Sequence, residues 1–306
     1  MKRLLVALLL AAAPVAHAQK VHLLIITGLA GEPQYGTAFR AEAALLADSA
    51  RKRWGVADSS LIVLGEDPAA DPKHITGHST REEVARAFLQ LTKRVVAGDV
   101  VLVFLNGHGA GEGVASRVNL PGPDPTAGDF ATWIAGFTAQ TVVFVNAASG
   151  SGDFTGVLAG RGRVIVTATR TALERNEVQF ARPFVVGLTG AADTDKDDRV
   201  SVLEAVDYAK KEIARLYDAD KRMLTEHAVV TDTALARSVT FGAPRAAADP
   251  RVLALIAERQ QLEAQVAALR GRKATTDSTT YSAELERLLL LMAEKSQAIR
   301  TAGGKP

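Results

Sequence analysis

The feature that most constrains the fold is a series of short, almost wholly apolar runs that alternate with segments of helical pattern between residues 21 and 212. These runs cover residues 21–26, 61–64, 100–105, 142–145 and 163–167. A strand that is apolar on both sides must be buried on both sides, which is typical of parallel sheets covered by helices. The sequence therefore predicts an α/β fold with a mainly parallel sheet and helices on both faces.

The beginning of the chain, residues 1–18, has the pattern of a secretory signal peptide. Lys2 and Arg3 precede an apolar stretch over residues 4–14, and a small-x-small cleavage motif ends at Ala18. The apolar stretch is about half as long as the roughly 20 residues that a helix needs to span a bilayer. We therefore expect a periplasmic or secreted protein that makes no stable membrane insertion.

Composition narrows the classes of partner and of metal site. The formal net charge of +2 falls to near zero when Lys2 and Arg3 leave with the signal peptide. Binding to nucleic acid rests on clustered positive charge, so we expect no nucleic-acid partner. The chain contains no cysteine, which excludes disulfide bonds and thiolate metal sites.

Two of the apolar runs are followed by residues of the types that take part in catalysis. The run over residues 100–105 leads into Asn-Gly-His-Gly, which places His108 and Gly109 shortly after it. The run over residues 142–145 leads into a turn of small residues that contains Ser149. Ligands of open α/β sheets bind at the carboxyl ends of the strands. The sequence therefore predicts a candidate site formed by His108, Gly109 and Ser149.

These two strand ends resemble those of the caspase/legumain superfamily of cysteine peptidases. In that family one apolar strand leads to His-Gly and the next leads to Ala-Cys-x-Ser-Gly. Residues 148–152 read Ala-Ser-Gly-Ser-Gly, so a serine stands where the family has its nucleophilic cysteine. The resemblance covers roughly residues 20–235. It implies that His108 is the general acid/base, that Ser149 occupies the nucleophile position, and that the amides of Gly109 and Ser149 are oxyanion donors.

The replaced cysteine leaves the activity open. An alternative alignment with a one-residue deletion puts Ala148 in the nucleophile position. A serine hydroxyl needs an aligned base and a group that orients this base, and the sequence shows no such orienting group. We expect a pseudopeptidase that acts by binding or as a scaffold. The alternatives are a hydrolase that uses a Ser149–His108 dyad, and a plain turn of small residues where the backbone approaches a neighbour.

Residues 193–204 have the ligand spacing of an EF-hand calcium loop. The oxygen donors at positions 1, 3, 5, 9 and 12 are Asp193, Asp195, Asp197, Ser201 and Glu204, and the carbonyl of Arg199 stands at position 7. Position 6, which is normally glycine, is Asp198, and aspartate tolerates the positive φ that this position needs. The spacing predicts a structural Ca²⁺ site. The alternative is an acidic loop in which Glu204 only caps the following helix.

The composition changes after the α/β region. An Ala-rich linker bracketed by prolines covers residues 244–250, and two segments with apolar residues at heptad positions follow in residues 251–306. They predict an antiparallel helical hairpin or coiled coil after a caspase/legumain-like domain over residues 19–243. The apolar run over residues 288–292 is wider than one stripe, so we expect the hairpin to bind a protein or peptide partner. The alternative is that the hairpin only packs on its own domain. A third functional alternative is therefore an assembly protein that acts through this hairpin.

Overall fold

The structure, a computed structural model, describes residues 19–243, 250–275 and 277–302. The predicted signal peptide, residues 1–18, lies outside the described residues, and so does nearly all of the predicted linker, residues 244–249. The last residue of that linker begins a helix.

The described residues form eleven strands and nine α-helices. The strands are β1 (Val21–Thr27), β2 (Leu61–Gly65), β3 (Gly77–His78), β4 (Val100–Asn106), β5 (Gly109–Ala110), β6 (Arg117–Val118), β7 (Thr141–Asn146), β8 (Arg163–Thr167), β9 (Arg199–Ser201), β10 (Val229–Val230) and β11 (Thr240–Gly242). The helices are α1 (Pro33–Lys52), α2 (Arg81–Thr92), α3 (Ala127–Ile134), α4 (Phe154–Leu158), α5 (Ala181–Val186), α6 (Val202–Ala219), α7 (Thr233–Ser238), α8 (Pro250–Gly271) and α9 (Ser278–Thr301).

Seven strands form the central sheet in the order β3–β2–β1–β4–β7–β8–β10. Neighbouring strands are parallel except β8 and β10, which are antiparallel. The prediction of an α/β fold with a mainly parallel sheet is therefore confirmed. Four of the strands end in polar residues: Thr27 on β1, Asn106 on β4, Asn146 on β7 and Thr167 on β8. This polar edge of the sheet is where the candidate site lies.

Helices cover both faces of the sheet, and the strand side chains alternate between two hydrophobic clusters. On one face, α1, α5 and α6 pack on strand residues such as Phe104, whose ring stacks on Phe184 with the centroids 6.2 Å apart. On the other face, α2, α3 and α4 pack on strand residues such as Val103 and Phe144. Burying one large apolar side chain contributes roughly 1.5–3 kcal/mol, so the two clusters hold the strand ends in fixed positions.

The two C-terminal helices pack on each other. Their apolar cluster is separate from the two sheet clusters, and it contains buried Val266 and Leu269 of α8 and buried Leu288 of α9. Lys295 Nζ forms an ion pair with Glu258 Oε2 at 2.5 Å. Among the described residues, none of the helices combines the length and the apolar character needed to cross a membrane.

Candidate functional site

The carboxyl ends of β4 and β7, which are neighbours in the sheet, bring His108 and Ser149 to one open cleft. His108 lies two residues beyond the end of β4, and Ser149 lies three residues beyond the end of β7. The cleft is lined by Tyr35, Ala38, Phe39, Glu42, Asn106, Gly107, His108, Ala147, Ser149, Glu177, Val178, Gln179, Ala181 and Arg182. The structure therefore brings both predicted side chains to the same site.

Ser149 directs its hydroxyl at the backbone that follows the neighbouring strand. Its Oγ accepts a hydrogen bond from the backbone N–H of Gly109 at 3.5 Å, and 7% of the residue is exposed. The next residue, Gly150, has a φ of +60°. A Cβ on Gly152 would lie 2.3 Å from the carbonyl carbon of Arg170, so no larger residue fits there. The turn over residues 148–152 therefore packs through close backbone contacts, which agrees with the alternative of a plain turn of small residues.

The imidazole of His108 is held on the α1 side of the cleft. Its Nε2 donates to the carbonyl oxygen of Ala30 at 3.2 Å, and its ring packs edge-on against Tyr35 and Phe39 with centroids 4.9 and 5.6 Å away. Within the described part of the chain, no hydrogen bond joins His108 to Ser149 or to a carboxylate. A serine hydroxyl becomes a strong nucleophile through a bonded and oriented base, and this arrangement does not supply one.

Sequence reasoning missed a buried polar pair in the cleft, Glu42 and Asn106. Glu42 lies on α1 with 6% exposed, and its Oε2 accepts a hydrogen bond of 2.6 Å from Asn106 Nδ2. Burial raises the pKa of Glu42 to about 7, although the Asn106 amide and the charge of Arg182 favour the ionised form. The sequence carries one signal for this position. Glu42 stands three residues after Phe39 and four before Leu46, on the buried stripe of α1.

A second buried carboxyl group that the sequence did not reveal, Glu226, supports the cleft wall formed by residues 177–182. Its Oε1 accepts the backbone N–H of Gln179 at 2.7 Å, and 2% of Glu226 is exposed. Burial raises the pKa of Glu226. On the same wall Glu177 is exposed, and its charge raises the pKa of the Tyr35 hydroxyl across the cleft mouth. The cleft therefore has acidic groups at its floor, in its wall and at its mouth.

The predicted calcium loop brings three acidic residues together. Carboxylate oxygens of Asp193, Asp195 and Asp197 all lie within 4.8 Å of one another. The Asp193 carboxylate accepts the backbone N–H groups of Asp197 and Asp198, each at 3.1 Å. Asp198 has a φ of +64°, which is the left-handed conformation expected at position 6 of the loop. Burial, together with the charges of Asp197 and Glu204, raises the pKa of Asp195 to about 6.

The second half of the same loop builds the start of α6. Glu204 Oε2 accepts the backbone N–H of Ser201 at 2.9 Å, and Ser201 Oγ accepts the N–H of Glu204 at 3.1 Å, which forms a capping box. Glu204 Oε1 accepts the N–H of Thr194 at 3.2 Å. Arg199 lies on β9 opposite Gly242 of β11. Glu204 therefore caps the helix, as the alternative expects, and also contacts the acidic half of the loop.

No family model matches this chain, and no curated protein matches it. Among solved structures, the chain is similar to protein GSU0716 from Geobacter sulfurreducens, with 12% sequence identity and a TM-score of 0.44. That similarity covers 74% of this chain and 94% of the other.

Proposed function

We propose that this chain is a secreted caspase/legumain-like pseudopeptidase that holds a peptide or protein segment in its cleft and acts as a binding or scaffold protein. One observation carries the proposal: Ser149 and His108 line one cleft, yet each side chain is hydrogen-bonded to a different backbone group and not to the other side chain. The serine Oγ accepts the N–H of Gly109, and the histidine Nε2 donates to Ala30. Such a cleft offers a binding surface without an activated nucleophile.

The kinship with the caspase/legumain superfamily is part of the same proposal. It is supported by the placement of the two motifs, because His-Gly follows β4 and Ala-Ser-Gly-Ser-Gly follows β7, the parallel strand beside it. It is also supported by the shared cleft, since a general acid/base and a nucleophile must face one substrate. The missing thiol is the reason to propose binding in place of cleavage.

The second candidate is a hydrolase that uses Ser149 and His108, and the shared cleft favours it. The two candidates are separated by incubating the mature protein with a broad peptide library and recording cleavage by mass spectrometry. We expect no hydrolysis after Asn, Asp, Arg or Lys. Turnover that Ser149→Ala and His108→Ala both abolish would establish the hydrolase. Ser238→Ala, which changes an exposed hydroxyl on α7, is the matched control and should leave any turnover unchanged.

We also propose that Ca²⁺ binds the loop of residues 193–204 and stabilises the fold. The proposed ligands are the side chains of Asp193, Asp195, Asp197, Ser201 and Glu204 and the carbonyl of Arg199. Two observations support this proposal: the close approach of the three aspartate carboxylates, and the positive φ of Asp198 at the position where calcium loops turn sharply. Clustered carboxylates repel one another, and a divalent cation relieves that repulsion.

The antiparallel arrangement of α8 and α9 is likewise a proposal. Two contacts support it, one between the helices and one between their connection and α9. Lys295, near the end of α9, pairs with Glu258 in the first half of α8. Lys273, between the helices, lies with its Nζ 5.8 Å from the ring centroid of Tyr281 in the first turn of α9. In an antiparallel hairpin, residues near the connection meet each other and residues far from it meet each other.

We propose that this hairpin recruits a protein or peptide partner through α9. Leu289 and Leu290 are 45% and 59% exposed, next to Leu288, which is buried in the seam between the helices. Exposed leucines beyond an apolar seam are typical of a contact surface. The near-zero charge of the mature chain argues for a protein partner over nucleic acid. Export by residues 1–18 would place this interaction in the periplasm or outside the cell.

A further inference from the structure

The helix α9 carries an exposed stripe of residues in addition to the seam that it buries against α8. The stripe is formed by Ala283, Arg287, Leu290, Leu291, Glu294 and Ala298. At about 100° of rotation per residue, these positions lie on a face turned roughly 130° away from the seam residues Leu288 and Met292. Exposure agrees with this placement, because all six residues are exposed or half-buried, and Leu290 is 59% exposed. The described part of the chain therefore leaves this face of α9 open to a partner.

The stripe has the same chemical order from either end, except that its two charges change places. Its midpoint lies between the two leucines. Arg287 and Glu294 stand at equal distances from this midpoint, and further out Ala283 and Ala298 do the same. When two identical helices pack antiparallel across a two-fold axis, each residue meets the residue at the same distance on the other side of the axis. In α9 every such meeting joins two leucines, two alanines or two opposite charges.

The charges of the stripe fit a second copy of the chain in antiparallel orientation. In a parallel pair in register, Arg287 would face Arg287 of the other copy and Glu294 would face Glu294, so that like charges repel. In the antiparallel pair, Arg287 of each copy faces Glu294 of the other, and the two-fold axis provides this contact twice. Glu284 holds the guanidinium at the surface, with 2.7 Å between Arg287 Nη2 and Glu284 Oε1, and 54% of the Arg287 side chain is exposed. The guanidinium is therefore accessible to a carboxylate of a second copy.

We propose that the partner of α9 is a second copy of this chain, bound through an antiparallel contact between the two α9 helices with a two-fold axis between Leu290 and Leu291. The inference rests on the proposed recruitment of a protein by α9, because it names that protein. The leucines of both copies form the apolar centre of the contact, and the Arg287–Glu294 pairs fix its direction and register. A contact between two single helices is small, so the dimer should dissociate in roughly the micromolar range.

The test reverses the charges of the stripe in the full mature chain and measures self-association by sedimentation velocity. Arg287→Glu leaves only acidic residues at the two charged positions, and Glu294→Arg leaves only basic ones. Each variant alone should self-associate at least about tenfold more weakly than the wild type, because both pairs between the helices become repulsive. An equimolar mixture of the two variants should regain the wild-type affinity, since every charged position then meets the opposite charge.

The matched control is Arg215→Glu on α6. Arg215 pairs with Glu212 three residues before it, as Arg287 pairs with Glu284, and 66% of the Arg215 side chain is exposed. This control should leave self-association unchanged. Circular dichroism checks that each variant folds, and recovery of the dimer on mixing shows independently that both variants keep the shape of α9.

The outcomes separate the second copy from the proposed recruitment by α9. A wild type that is monomeric up to about 200 µM, but captures a different protein that Leu290→Ser no longer captures, overturns the second copy and leaves recruitment by α9 in place. A wild type that is monomeric and captures no protein overturns both. A wild-type dimer that survives either single charge reversal, or a mixture of the two variants that stays monomeric, overturns the antiparallel contact.

Discussion

Gly109 shows how closely the two strand ends approach each other. A Cβ at this position would lie 2.6 Å from the carbonyl oxygen of Ser149 and 3.0 Å from that of Arg117. Both atoms belong to the backbone, so they cannot move aside as a flexible side chain would. Gly109, which follows His108, is therefore a packing requirement of the turn.

Gly109→Ala should destabilise the protein by about 2 kcal/mol, because either the turn of Ser149 or the β5–β6 pair must shift. Urea unfolding monitored by circular dichroism measures the change. The matched control is Gly156→Ala in α4, where a Cβ meets nothing within 4 Å. That substitution should be neutral or stabilising by up to about 1 kcal/mol, since alanine favours helix. Equal stabilities for the two variants would contradict the close approach of the strand ends.

At the residue scale, the sequence predicted His108 and Ser149 as site residues but did not predict Glu42. The first two follow apolar runs, and the end of a buried strand is a local pattern. A glutamate within a helix is usually solvated, and nothing local distinguishes Glu42 except its place on the apolar stripe. Its partner Asn106 lies 64 residues further along the chain. The acidic floor of the cleft is thus a product of tertiary packing, which one sequence does not display.

Among the elements, strand length decides what was predictable. β1, β2, β4, β7 and β8 are mostly apolar strands of five to seven residues, and each was predicted from its apolar run. β3, β5 and β6 have two residues each, which is too short for an apolar pattern, and they are recognised only by their pairing with another strand. The start of α6 was also readable in part, because the sequence offered Glu204 as a cap of this helix, and Glu204 forms a capping box with Ser201 there.

The acidic loop gives a prediction at the scale of an element. Calcium at tenfold excess over its Kd should stabilise the native state by about 1.4 kcal/mol and raise the thermal midpoint by roughly 3–6 °C. Asp193→Ala with Glu204→Gln should remove the rise, because it deletes two ligands from opposite ends of the loop. Differential scanning fluorimetry of chelator-treated protein, with and without millimolar CaCl₂, measures the rise in the thermal midpoint.

The control for the calcium prediction is Asp198→Gly. This substitution keeps all proposed ligands and places glycine where φ is +64°, so the calcium-dependent rise should persist. The capping role of Glu204 means that the double variant loses some stability even without calcium, which is why the readout is the shift between the two conditions. A wild-type protein with no shift would eliminate the site.

On the scale of the whole molecule, the apolar clusters are built from two separate stretches of the chain. The clusters on the two sheet faces draw their buried residues from the region between Leu23 and Phe241. The third cluster draws its residues from α8 and α9 alone. Both faces of the sheet are therefore covered without the hairpin, and the hairpin has an apolar seam of its own. Arg259 of α8 is one link between the two regions, because its charge acts on the carboxyl group of Asp195.

This division predicts that a chain ending at residue 249 stays soluble and keeps the sheet, because its two clusters are complete, while it no longer co-purifies with the partner proposed for α9. Gel filtration and circular dichroism test the fold, and affinity capture from the periplasmic or secreted fraction tests the partner.

Leu289→Ser with Leu290→Ser in the full chain should lose the partner without loss of stability, since both side chains are exposed. Leu288→Ser should cost about 2–4 kcal/mol because that side chain is buried. An insoluble truncated chain, beside a full-length chain that is monomeric and captures no protein, would show that the hairpin serves only to cover its own fold.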